Sequence, residues 1–421
     1  MLKLFKGLST DQAPPIGVPF RFFLTAPIFA ILIAVIFIVY PSEMIFNRYT
    51  PIAIATTHLF TLGVLAMIIF GALQQMLPVL AGAVIKKPNL FASIVHTNLT
   101  AGTLALSSGF LFTSTTLMSI GSIMLSLAFG VFFFTIIKLL FKVKYITSTV
   151  NAMKIFSIAG LITAVLGLYL LSSYITFNIG SHHIDIANIH ISFALFGFAF
   201  ILVMGVAFQV IPMFYVAQDF SKSIQNKFPR VVFGMLILLT IFTTLSQDIT
   251  PILNIIEILA IVFALNGLYS LQNRKRAVLD VTLWYWKLSL SSLVISMVLL
   301  LIELPISTIA IIISFGFLYA LLQGMMYKIV PFLSWFHLSS KGHFNIPNLR
   351  EYIDAYNIKL QFIIYVSSIV CFLLATIFNQ LFLYMGAVLF IVSNILLMAN
   401  LVTATKSYHR ISKLDPMAAF K

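Results

Sequence analysis

The chain has 421 residues, of which 61% are hydrophobic and only 9% charged, and its mean hydropathy is +1.08. A soluble domain carries roughly 25% charged residues, so this composition excludes a water-solvated globule and requires an all-α polytopic membrane protein. The net charge of +14 does not indicate a nucleic-acid partner, because the basic residues form short clusters on alternate loops between apolar runs and no continuous stripe.

A bilayer crossing takes roughly 20 apolar residues. On that criterion the sequence predicts about twelve transmembrane helices, at 19–40, 52–78, 92–113, 116–140, 151–173, 186–214, 230–246, 251–271, 282–302, 306–335, 359–378 and 381–404. The N-terminal MLKLFKGLSTDQAPP is basic and short, and no small-residue cleavage site follows the first apolar run, which therefore reads as a retained helix. The third and fourth spans are nearly continuous and split only at Thr113–Thr116. Basic clusters such as Lys86-Lys87, Lys138/Lys142/Lys144, Lys222/Lys227/Arg230 and Arg274-Lys275-Arg276 fall on one side, and Glu43, Asp185, Asp248 and Glu303 on the other. That asymmetry predicts both termini in the cytoplasm. The longest extramembrane segment, 336–358, has room for no more than one short surface helix, so residues 1–421 read as a single membrane-embedded domain. Cys371 lies alone inside an apolar run and offers neither a disulfide nor a thiolate cluster.

A spacing of Gly-x-x-x-Gln-x-x-Pro occurs as Gly71, Gln75 and Pro78 in the second span and as Gly205, Gln209 and Pro212 in the sixth. With lysine for glutamine, it returns as Gly324, Lys328 and Pro331 in the tenth. Proline inside a helix removes a donor and clashes with the carbonyl four residues back. This would free the carbonyls of Gln74, Phe208 and Tyr327, with Gln75, Gln209 and Lys328 as partners, and the glycines would permit close helix approach. The repetition predicts a pseudo-threefold bundle with helices 2, 6 and 10 inside.

Histidine within a span is costly and marks a site by default. His58 lies seven residues beyond Pro51, roughly 10 Å below the outer end of its helix, and His190 stands at a comparable depth in the sixth span. Two opposed imidazoles can serve as the axial ligands of a haem iron, and Ala194 and Gly197 below His190 would leave room for a flat ring. The alternative is that each histidine bonds a carbonyl on a neighbouring helix. His96 and His337, near the inner ends of the third and tenth spans, form a second candidate pair. His182, His183 and Asp185, in SHHID before the sixth span, are candidate ligands for copper or zinc. Glu257 is the one acid well inside a span.

Twelve spans, a histidine near the outer end of helices two and six, and inward-facing helices two, six and ten make the chain similar to the catalytic subunit of haem-copper oxidases. It also resembles the NnrS-type haem membrane proteins, distant relatives of that subunit. The resemblance implies that His58 is the helix-two ligand of a low-spin haem. His190 occupies the position of the helix-six histidine that binds copper in the oxidases, but Ala194 stands where its tyrosine partner would be. The seventh span has no histidine, and the tenth lacks the outer His-x-His that holds both haems. A binuclear oxygen-reducing centre therefore cannot be assembled from these residues.

The resulting expectation is a b-type haem protein of the bacterial cytoplasmic membrane, engaged in electron transfer or in handling nitric oxide or another small ligand. Its haem b would be non-covalent, since no Cys-x-x-Cys-His occurs. Its partners would be the lipid bilayer and a redox partner such as a small c-type cytochrome subunit. The alternative is a cofactor-free transporter with its site at proline-broken helices.

Overall fold

The computed structural model describes residues 13–275 and 280–416, and among these every element is a helix. Twelve long helices account for nearly all of them, in register with the twelve apolar runs. They are α1 (Gly17–Val39), α2 (Pro51–Val79), α3 (Pro88–Leu111) and α4 (Thr115–Leu140), then α5 (Ser148–Ile175), α6 (His183–Tyr215), α7 (Lys222–Thr244) and α8 (Thr250–Gln272). The last four are α9 (Thr282–Leu301), α10 (Ile306–Ser340), α11 (Ala355–Ala375) and α12 (Gln380–Ile411). Eleven of these are long and apolar enough to cross a membrane. The twelfth, α3, has 24 residues, enough to span, but carries Asn89, His96, Asn98 and several threonines and serines that dilute its hydropathy.

Helix starts follow from capping chemistry. Side chains of Thr50, Ser114, Thr147 and Ser221 each accept a backbone N–H three residues on, and Asp354 and Asn379 accept one two residues on. Gly82 and Gly342 follow the ends of α2 and α10 with φ of +63° and +81°, values that only glycine adopts without strain. Two boundaries differ from expectation. The Ser221 cap starts α7 at Lys222, so Lys222 and Lys227 lie in its first turns and not in a loop. Gly342 stops α10, and the segment that follows, up to the Asp354 cap, contains no surface helix.

The chain falls into two compact units. One contains Leu73–Val278 and Leu290–Leu304, and the other contains Pro15–Ala72, Leu279–Ser289 and Pro305–Lys421. In the first unit, α3 and α4 lie close because Gly102 faces Leu125 and Gly121 faces the backbone of Leu106. Phe200 and Phe208 of α6 meet Phe263 of α8 edge-on. In the second unit, the Gln380 amide at the start of α12 fastens the C-terminal end of α1. It accepts from Ser42 N at 2.6 Å and donates to Tyr40 O at 3.2 Å.

The most buried apolar windows belong to α2, α6 and α10, at 67%, 72% and 83%, against 56% or less for the other candidate spans. These are the three helices that the repeated motif picks out as internal. Their glycines have matching roles. A Cβ on Gly71 would meet Phe22 of α1 at 2.6 Å, one on Gly205 would meet Ala152 of α5 at 2.5 Å, and one on Gly324 would meet Tyr285 of α9 at 2.6 Å. In each case the next backbone neighbour is the carbonyl three residues earlier, of Pro19, Thr149 or Thr282. Each motif glycine therefore seats its helix against the helix that precedes it.

The prolines do not break these helices, because helical geometry runs on past Pro78, Pro212 and Pro331. The irregularity lies upstream of them. Eight-residue π-helical segments occupy Leu59–Ala66, Phe193–Phe200 and Ile312–Tyr319, each beginning twelve residues before the motif glycine. Each contains a second aligned glycine, Gly63, Gly197 or Gly316, eight residues before the first.

Candidate functional site

The histidines come first because the sequence pointed to them. The Nδ1 of His58 lies 2.8 Å from the carbonyl of Ile54, one turn back in α2. The Nδ1 of His190 lies 3.0 Å from the carbonyl of Thr163 on α5. A carbonyl can only accept, so each Nδ1 carries a proton, and a neutral ring then presents its lone pair at Nε2. Metal-ligating histidines are held in this way, by a backbone carbonyl on the other nitrogen.

The two histidines are not equivalent within the repeat. His58 stands thirteen residues before its motif glycine and His190 fifteen, so His190 aligns with Thr56. Two residues amount to about 200° around a helix and about 3 Å along it. His190 lies on the α6 face that carries Gly197 and Gly205. There it rests in the seam with α5, where Gly167 leaves space for its ring: a Cβ at that position would meet the imidazole at 2.9 Å. His190 thus makes the carbonyl bond of the packing alternative. The space expected at Gly197 is filled, since a Cβ there would meet Ala159 of α5 at 2.8 Å and Leu236 of α7 at 3.2 Å. Gly197 is a helix-packing glycine and offers no slot for a flat ring.

The remaining candidates separate. His337 sits in the last turn of α10 against Phe336, with ring centroids 5.4 Å apart and a buried Nε2 that has no partner. His96 lies on α3, in the other compact unit. SHHID is not a loop: His183 and Asp185 lie in the first turn of α6, and His182 is its cap residue. His182 pairs with Asp185 at 3.5 Å, whereas His183 stacks edge-on to Tyr174 at 5.3 Å. Among the described residues, no three His, Cys, Asp or Glu side chains gather as metal ligands.

Lys328 meets a carboxylate. Its ammonium forms an ion pair with Asp280, just before α9, and the Asp280 carboxylate also accepts from the Thr282 amide at 3.0 Å and hydroxyl at 2.7 Å. Burial alone would raise the Asp280 pKa, but the Lys328 charge and the bonds from Lys328 and Thr282 outweigh it and hold the carboxyl below its usual range. Gln75 and Gln209, the residues at the position of Lys328 in the other copies, are neutral amides, and the Gln75 Oε1 is buried without a partner.

A polar cluster that sequence reasoning passed over lies in the second compact unit, among α9, α10, α11 and α12. Gln361 is at its centre and completely buried. Its Oε1 accepts from the Tyr285 hydroxyl and, at 3.3 Å, from the Tyr327 hydroxyl. Its Nε2 donates to Gln323 Oε1 at 2.6 Å and to Ser393 Oγ at 2.8 Å. Asn400 Nδ2 donates to the Tyr327 hydroxyl at 3.0 Å. Nearby, Tyr319 donates to Asn394, and Tyr365 donates to the carbonyl of Phe315. Both hydrogens and both lone pairs of the Gln361 amide are engaged, which fixes the orientation of the Gln323 amide beside it. The available signal was amides inside apolar runs, Gln323 immediately before the third motif glycine and Gln361 in the eleventh span. Such residues commonly join helices across a bilayer. Set against protein-family models and curated proteins, the chain matches none.

Proposed function

We propose that this multi-pass membrane protein binds a non-covalent haem b, with His58 and His190, which belong to different compact units, each as a candidate axial ligand. It would act in electron transfer or in handling a small ligand such as nitric oxide, as an oxidase-like or NnrS-like protein that is not an oxygen reductase. The observation that carries this reading is the bond between His58 Nδ1 and the Ile54 carbonyl, which directs the ring's basic nitrogen away from its own backbone. The Thr163 carbonyl does the same for His190. Bound haem would supply a one-electron iron couple with no covalent anchor. The setting proposed for it is a bacterial cytoplasmic membrane with both termini inside, and a small c-type cytochrome as redox partner. A second reading, a cofactor-free transporter, draws support from the Lys328–Asp280 pair and the Gln361 cluster, since polar groups inside a membrane commonly mark a transport path.

The test is an absorption spectrum of detergent-purified protein before and after dithionite reduction. The expected result is a Soret band and a sharp reduced α band. Both bands are lost or shifted in whichever of His58→Ala and His190→Ala removes an axial ligand. A colourless protein that elutes as a single folded species overturns the haem reading and leaves the transporter. A His190→Ala spectrum identical to wild type removes His190 from the ligand set.

A further inference from the structure

We propose that α9 and α10 hold a second site, for a neutral, lipid-soluble carbonyl compound of the quinone type. It is recognised by the Gln323 amide N–H groups, the Trp286 indole N–H and the Ser289 hydroxyl. All three side chains are almost wholly buried, at 0%, 1% and 0% exposure respectively, and the Gln323 Nε2, the Trp286 Nε1 and the Ser289 Oγ have no hydrogen-bond partner. A buried donor without an acceptor is destabilising, and three of them occur within two adjacent helices. Trp286 and Ser289 are three residues apart and share a side of α9. Gln323 is linked to that helix through Gln361, whose amide bonds both Gln323 Oε1 and the Tyr285 hydroxyl.

The ligand's chemistry follows from the donors. The amide and the indole can only donate through these atoms, so they call for acceptor oxygens. None of the three carries a charge, and Lys328, on α10 with Gln323, is engaged with Asp280, so the three donors call for a neutral acceptor. The aromatic side chains around the Gln361 cluster suit a planar ring: Tyr285 meets Phe362 at 4.7 Å and Tyr327 at 5.9 Å. A ligand reaching residues inside two membrane spans dissolves in lipid. A compound with two carbonyl oxygens on a flat ring and an alkyl tail meets every one of these requirements. Because the Gln361 amide is saturated, the Gln323 N–H groups are held in place before the ligand arrives.

The experiment titrates decylubiquinone into the full-length protein in lipid nanodiscs and follows tryptophan fluorescence, which quinones quench. Trp286 is one of only three tryptophans in the chain. The expected result is saturable quenching that an excess of decylbenzene, which has no acceptor oxygen, does not reverse. Gln323→Leu weakens binding about tenfold or more, and Ser289→Ala weakens it by a smaller factor. If Gln323→Leu does not fold, the Ser289→Ala variant and the carbonyl stretch of isotope-labelled quinone, expected to shift to lower frequency on binding, provide the answer. Quenching that never saturates, an equal affinity in Ser289→Ala and Gln323→Leu, or an unshifted carbonyl band overturns the proposal. The haem test reads a separate signal, so either proposal can fail alone.

Discussion

Lys328 marks the point at which the third copy of the motif departs from the other two. Glutamine there would need only hydrogen bonds, whereas lysine needs a counter-ion, which Asp280 supplies from the start of the preceding helix. Removing either partner leaves a part-buried charge, so Lys328→Gln and Asp280→Thr each destabilise the protein in detergent. The double variant should recover part of the loss, with a coupling of about 1–3 kcal/mol, measured by thermal unfolding. The coupling also depends on pH. Because the folded Asp280 carboxyl titrates below its usual 3.8, its contribution is complete above that value and is lost as pH falls through the lower folded one. A coupling that does not shrink between about pH 6 and about pH 3 would show that the pair is not electrostatic. At this scale the sequence was only half informative. It located Lys328, but its partner lies 48 residues away and is not discernible from spacing. Histidines drew attention because they titrate and bind metals, while neutral Gln323 and Gln361 have no such signature.

The element scale shows why a proline-centred reading was incomplete. Proline has a known local effect, so Pro78, Pro212 and Pro331 were natural places to expect a break, yet all three helices run through them. The departure from α geometry is the wide turn around Gly63, Gly197 and Gly316. These glycines stand in the sequence at a constant eight-residue offset from the motif, so the longer pattern was available. Its meaning was not, since nothing local distinguishes a π segment from an α segment. A π segment accommodates about one residue more than the α-helix that would replace it. Deleting Val64 from α2 should therefore convert the segment to α-helix and leave the flanking turns on their original faces, giving a folded protein with a modestly lowered unfolding temperature. Deleting Ala164 from the regular α5 rotates the rest of that helix by about 100° and should give aggregated material. Equal damage from the two deletions, read by size-exclusion chromatography and far-UV circular dichroism, would contradict the insertion account.

For the whole molecule, composition was the most reliable guide. Apolar runs of bilayer length reported all twelve long helices, because the requirement to satisfy backbone groups in lipid leaves little else for such runs to become. Orientation rests on the charge distribution and can be tested directly. With Cys371 replaced by serine, single cysteines at Lys144 and Lys413 should resist a membrane-impermeant maleimide in intact cells, and one at Asn178 should react. The reverse pattern would invert the topology. Repetition was visible in three short motifs, but the helix-to-helix seats were not. Phe22, Ala152 and Tyr285 share no chemistry that spacing could match, only a position one helix earlier.

One detail of those three wide turns bears on descent. A surplus residue acquired separately by three helices would have no reason to fall each time at the same distance from the same glycine. Its presence at one offset in all three is the pattern that copying a four-helix segment within one gene would leave.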